Sequence, residues 1–131
     1  MSKNILPNLS VNELDSEQRF QYFIDEAIQQ QQIWILTDQQ GCVMLNTDDE
    51  DCVPVWPSED SAQNWATADW QHCKAEPVAL KVWQHRWTLG LEEDQFHVVV
   101  FPVEQQEGTV IHPQDLDAEL RKKIKANNKA K

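Results

Sequence analysis

Phe20, Phe23, Ile24, Ala27 and Ile28 recur at intervals of three and four, which marks one apolar stripe of an α-helix. The spacing predicts a helix from Ser16 to about Gln31, capped by Asp15 or Ser16, with Glu17 in its first turn. The pattern then changes to short runs of β-formers. "IWILT" (33–37) predicts a strand, "DQQG" (38–41) a turn with Gly41 free to take a positive φ, and "CVMLN" (42–46) the returning strand. "CVPVW" (52–56) predicts a third strand, at an edge or bulged because Pro54 has no N–H. Ser58 then caps a helix over about 59–67, with Ala62, Trp65 and Ala66 inward. "CKAEPVA" predicts a short strand. Residues 80–89 predict a helix carrying Trp83 and Trp87, with Gly90 as the left-handed residue that ends it. "FHVVVF" (96–101) is the clearest strand, and "TVI" (109–111) pairs back on it after a turn at 104–108. Pro113 opens a last helix with Leu116, Leu120 and Ile124 inward, and "ANNKAK" predicts a frayed tail.

This order predicts an α+β fold: a single domain with a mostly antiparallel sheet of about five to six strands and about four helices packed on it. Its expected divisions are an N-terminal extension (1–14), the domain (15–121) and a basic helix end and tail (122–131). The expected core holds Phe20, Phe23, Ile24, Trp34, Leu36, Val98, Val100, Leu116 and Leu120. The chain has 131 residues, which suits one domain with its own core.

Charge adds a second constraint. The net charge is −11. Five basic residues stand against 22 acidic ones in residues 1–120, a net −17, while the last eleven residues carry +6. So acidic a body repels phosphate backbones and anionic membranes, which makes nucleic acid and membrane unfavourable ligands of its main surface. The basic end is left to touch an anion or fold back on the body. The N-terminus has no apolar signal segment, no apolar run reaches the ~20 residues of a membrane span, and the cysteines are three without a CxxC. These features predict a cytoplasmic protein whose Cys42, Cys52 and Cys73 are reduced.

The candidate chemistry is sparse. Only three glycines occur, each with a turn or cap to serve, so no phosphate-cradling loop is available. GxSxG and HExxH are absent, and the acidic run at 48–51 fails the calcium-loop template because Val53 or Pro54 falls where Gly is needed. None of the four histidines has a second ligand at metal spacing, so a zinc site would have to be assembled by tertiary structure. No catalytic residue, metal or cofactor is therefore assigned. The candidate binding residues are Trp56 and Trp70, which flank short connections and are expected to be partly exposed, and Asp48, Asp49, Glu50 and Asp51 in the loop before the third strand. Those carboxylates could approach Glu92, Glu93 or Asp94 around a cation, or form a solvated loop whose charge protects a sheet edge.

"RFQYF" (19–23), "IWIL" (33–36), "VPVWPSEDSA" (53–62), Trp70, "LGLEEDQFHVVVFPV" (89–103) and "EGTVIHPQDL" (107–116) resemble the family catalogued as domain of unknown function 2750. The similarity covers about residues 16–120. It implies a short, stand-alone cytoplasmic bacterial protein of α+β fold, and it brings no activity, ligand or catalytic residue with it. The leading expectation is a non-enzymatic macromolecular binding module with an acidic, Trp-bearing surface for a basic protein, acting as a monomer or small homo-oligomer. A cryptic metal- or thiol-dependent enzyme and a small-ligand sensor with a Trp-lined pocket are the alternatives.

Overall fold

The computed structural model describes residues 15–39, 41–47, 50–66, 70–103 and 108–130. It is a single α+β domain, with four helices and seven strands among the described residues. The predicted N-terminal extension, the turn at 104–107, and Asp48 and Asp49 lie outside the described residues.

Helix α1 (Ser16–Gln30) forms as its stripe predicts. Asp15 caps it by accepting from Gln18 N at 2.8 Å, while the Gln18 side chain accepts from Asp15 N at 2.9 Å, a reciprocal capping box. Phe23, Ile24 and Ala27 are buried, with Phe20 and Ile28 packed half-buried beside them. Gln31, in the left-handed region, ends the helix and turns the chain into β1 (Gln32–Asp38).

The strands form two sheets rather than the expected one. The first has the order β2 (Gly41–Cys42), β1, β5 (Lys74–Ala79), all antiparallel. Gly41 takes its positive φ of 127° as the first residue of β2, paired with Asp38. The second has the order β3 (Leu45–Thr47), β4 (Glu50–Val55), β6 (His97–Val100), β7 (Thr109–Ile111), with β4 and β6 parallel and the other pairs antiparallel. The predicted strand 42–46 is thus divided between the sheets, because Val43 turns inward, buried, with its N–H on Leu36 O at 2.8 Å. Among the described residues, the pair Trp34 and Trp56 bridges the two sheets.

Pro54 lies inside the second sheet, yet costs it no hydrogen bond. Val55 O accepts from Phe101 N on the β6 side, so alternation turns Pro54 to the opposite flank, where β3 has already ended at the Leu45–Cys52 pair.

Helix α2 (Glu59–Trp65) begins at Ser58, whose Oγ accepts from Ser61 N at 3.1 Å, and it packs on β1 and β5. Helix α3 departs from expectation. It runs through Leu80–Val82, a π-helical turn at Trp83–Trp87, and Thr88–Glu93. Gly90 therefore sits within the helix, and the left-handed residue after it is Gln95 at φ 64°. The π turn is held by Thr88, which donates from both its N–H and its hydroxyl to Trp83 O. Helix α4 (Pro113–Ala130) starts where Pro113 predicts, capped by His112, whose Nδ1 accepts from Gln114 N at 3.2 Å. It continues through residues 126–130, where a frayed tail is expected, and packs against α1 and the end of α3. Part of its basic end pairs with carboxylates: Arg121 with Asp117 at 2.7 Å and Lys123 with Asp25 of α1 at 3.3 Å.

One continuous core joins Phe23, Leu36, Val53, Trp56, Trp83, Val98, Val100, Leu116 and Leu120. Because Phe23 is wholly buried, Phe23→Ala is expected to lower stability by about 3–5 kcal/mol. Chemical denaturation checks this, and a loss under about 1 kcal/mol would contradict the packing described.

Candidate functional site

Three tryptophans form a ladder from the core to the surface. Trp56 meets Trp65 in a tilted ring contact with centroids 5.4 Å apart, and Trp65 meets Trp70 in another at 5.7 Å. The inner ring corrects the sequence expectation: Trp56 is fully buried, not partly exposed. Its ring turns inward because the backbone of Trp56 is committed to Trp34 and its indole N–H donates to Pro102 O at 2.9 Å. Trp70 is half-buried, as expected of a residue beside a short connection. Of the candidate carboxylates in the described residues, Glu50 and Asp51 are exposed. Asp51 accepts from Asn46 across the β3–β4 pair at 3.2 Å. Glu50 Oε1 lies 3.4 Å from His97 Nδ1, close enough for an ion pair but without hydrogen-bond alignment. The His97 ring meets His112 edge-on at 5.7 Å.

The segment against which Trp56 is anchored is unusual. Phe101 adopts φ 54°, a left-handed conformation that costs a bulky residue about 1–3 kcal/mol. Three bonds hold the segment there: Phe101 N donates to Val55 O, Arg19 Nε donates to Phe101 O at 3.2 Å, and Trp56 holds Pro102. Arg19 is 1% exposed, and burial lowers the pKa of its guanidinium, against which the Asp15 carboxylate raises it. Gly108 completes the bend, since a Cβ there would overlap Val100 O and fall 2.9 Å from Pro102 N. Sequence reasoning missed the buried Arg19, which occupies a polar position of an otherwise amphipathic helix.

A second group lies at the open end of the first sheet. Asp38, His72 and Cys73 bring a carboxylate oxygen, an imidazole nitrogen and a thiol within 4.8 Å of one another. Burial, and then the nearby Asp38 carboxylate, raise the Cys73 thiol pKa, and the same two causes raise that of Cys42. Cys42 and Cys73 are free thiols. The sequence shows His72 beside Cys73, but the third member comes from another strand and only the β1–β5 register reveals it. On α3, Arg86, Trp87, Gly90 and Leu91 line a shallow recess of about 250 Å³. It is open to solvent, unlike the closed pocket that a small-ligand sensor calls for.

The family model described as "Protein of unknown function (DUF2750)" matches residues 20–120. The chain belongs to this family. No curated protein matches the chain. The matched span of this DUF2750 protein runs from the first turns of α1 to Leu120 of α4, and so takes in Trp56, Trp70, the Phe101 bend and the Asp38–His72–Cys73 group. No helix among the described residues is long and apolar enough to cross a membrane.

The inner and outer rungs of the ladder are expected to differ in their effect on stability. Trp56→Phe removes the indole donor and leaves Pro102 O unsatisfied in the core, an expected loss of about 1–3 kcal/mol. Trp70→Phe keeps an aromatic ring at a half-buried site and is expected to cost under about 0.5 kcal/mol. Denaturant titrations of both variants test this, and equal losses would refute the assignment of Trp56 as the anchored rung.

Proposed function

We propose that this DUF2750 protein is a non-enzymatic binding module of the cytoplasm, a monomer or small homo-oligomer, that offers an acidic surface with Trp70 as its aromatic anchor to a basic protein. The observation that carries this reading is the tryptophan ladder. Trp70 is half-exposed, yet it rests on Trp65, which rests on the fully buried Trp56. A ring braced in this way loses little freedom when a partner covers it, which is what favours aromatic residues at the energetic centres of interfaces. Trp56 belongs to the reading as the base of the ladder, not as a contact.

Charge supports the choice of partner. The chain carries −11 overall, and Glu50, Asp51, Glu59 and Asp60 are exposed. Such a surface steers cationic partners and repels nucleic acid and anionic lipid. Asp48 and Asp49, which precede Glu50 in the sequence, belong to the same acidic run. Exposed single ion pairs contribute only about 0–1 kcal/mol each, so the charges set encounter and selectivity while Trp70 supplies a larger share of affinity.

Polylysine or a lysine-rich peptide, titrated at low salt, is expected to bind and to release as salt rises to about 0.5 M, where the Debye length is about 4 Å. Trp70→Ala is expected to weaken binding by about 30-fold, and the pair Glu50→Gln with Asp51→Asn to flatten the salt dependence. Equal affinities of the wild-type chain and Trp70→Ala, measured by calorimetry, would sink the anchor. An absence of binding by the wild-type chain would remove the basic partner.

A further inference from the structure

Asp38 closes β1. The β1–β5 ladder ends at the pair Thr37 and Lys74, and one further step sets Asp38 across from Cys73 on the same face. A turn in which Cys73 N donates to Trp70 O at 2.9 Å brings His72 round beside the same sulfur. The Cys73 Sγ lies 3.8 Å from His72 Nε2. Tetrahedral zinc, with Zn–S of about 2.3 Å and Zn–N of about 2.0–2.1 Å, holds its sulfur and nitrogen ligands about 3.6 Å apart. The protein therefore already spaces two of the donors as zinc would space them, with the carboxylate within reach.

We propose that Asp38, His72 and Cys73 form a binding site for a zinc-like divalent transition-metal ion, with one coordination position open to water or an external ligand. A thiolate and an imidazole select zinc-type ions over magnesium and calcium, which prefer oxygen donors throughout. Three protein ligands with a free position is the arrangement of zinc sites that take a further ligand, in contrast to closed structural sites with four. Cys42 does not supply the fourth. It pairs with Thr37, one residue before Asp38, so alternation places it on the other face of the sheet.

The surroundings fit a positioned site. Gln63 of α2 donates from Nε2 to Cys73 O at 3.4 Å, and its Oε1 accepts from Ala75 N at 2.8 Å. It thereby braces the chain on both sides of Lys74 and acts as a positioning residue for the cysteine. Access is graded: His72 is exposed, Asp38 half-buried and Cys73 buried. An ion can enter through His72 while the sulfur stays shielded from oxidants. On binding, the Cys73 S–H bond breaks, the sulfur gives its electron pair to the metal and the proton leaves to solvent, so uptake strengthens as pH rises. No oxidant or reductant is needed. The site is independent of the acidic-surface reading, and loss of either leaves the other standing.

The test uses the full chain, stripped with a chelator and titrated first with Co2+ and then with Zn2+ against a chromophoric competitor. One ion per chain is expected to bind with a Kd below about 1 μM. Cobalt is expected to give a sulfur-to-metal charge-transfer absorption that zinc abolishes. His72→Ala is expected to weaken binding by about 100-fold or more, and Gln63→Ala by about 10–100-fold. Asp38→Asn is expected to weaken it too, and Cys73→Ser to remove the absorption. Cys42→Ser is expected to leave both unchanged. His72 is exposed, so its variant keeps the fold, as circular dichroism will verify, and decides the matter if Cys73→Ser does not fold. The proposal is overturned if the stripped chain takes up no stoichiometric ion. It is overturned equally if His72→Ala or Asp38→Asn binds as tightly as the wild type, or if the absorption survives Cys73→Ser or is lost with Cys42→Ser.

Discussion

The backbone of Trp56 exchanges hydrogen bonds of 2.9 and 3.1 Å with Trp34, and its indole donates to Pro102 O at 2.9 Å. The first contact joins the two sheets, since Trp34 belongs to β1 and Trp56 follows β4. The second fixes the bend after β6. With Arg19 holding the neighbouring carbonyl, it keeps Phe101 in a conformation that would otherwise relax. The same ring is the base on which Trp65 and Trp70 rest. Sheet joining, through its backbone, and the strained bend and the aromatic ladder, through its side chain, thus share one buried residue. The "VWP" and "VFP" segments are two sides of a single contact.

Much of this fold can be read from the chain because its helices obey local rules. The stripe from Phe20 to Ile28, the cap at Asp15, the serine at 58 and the proline at 113 each act within a few residues, and each element starts where those residues place it. What the chain does not reveal depends on partners distant in sequence. Val43 divides a promising strand because Leu36 offers its carbonyl. Gly90 does not stop α3, because the π turn shifts the phase of the helix and Gln95 takes the left-handed role. Trp56 looks like a surface residue beside two prolines, and becomes a core residue only once the VFP bend supplies an acceptor for its indole.

The candidate sites divide along the same line. Net charge is a sum and needs no structure, so the acidic character and its bias towards cationic partners are visible at once. Trp70 stands out by its position between elements, and remains half-exposed. The Asp38–His72–Cys73 group could not be found by spacing, because ligand templates assume that donors share a helix, a hairpin or a knuckle. Here an antiparallel register carries one donor to the other two.

The parallel pairing of β4 with β6 has a bearing on how the chain reaches this state. Between those strands lie α2, β5 and α3, so the centre of the second sheet closes only after that whole crossover is in hand. The first sheet is also completed late, since β1 waits for β5. Neither sheet can be assembled from the first half of the chain. Loop-closure entropy must be spent twice before most of the core is buried, which is the topology of a slow, all-at-once folder rather than one that consolidates step by step from its N-terminus.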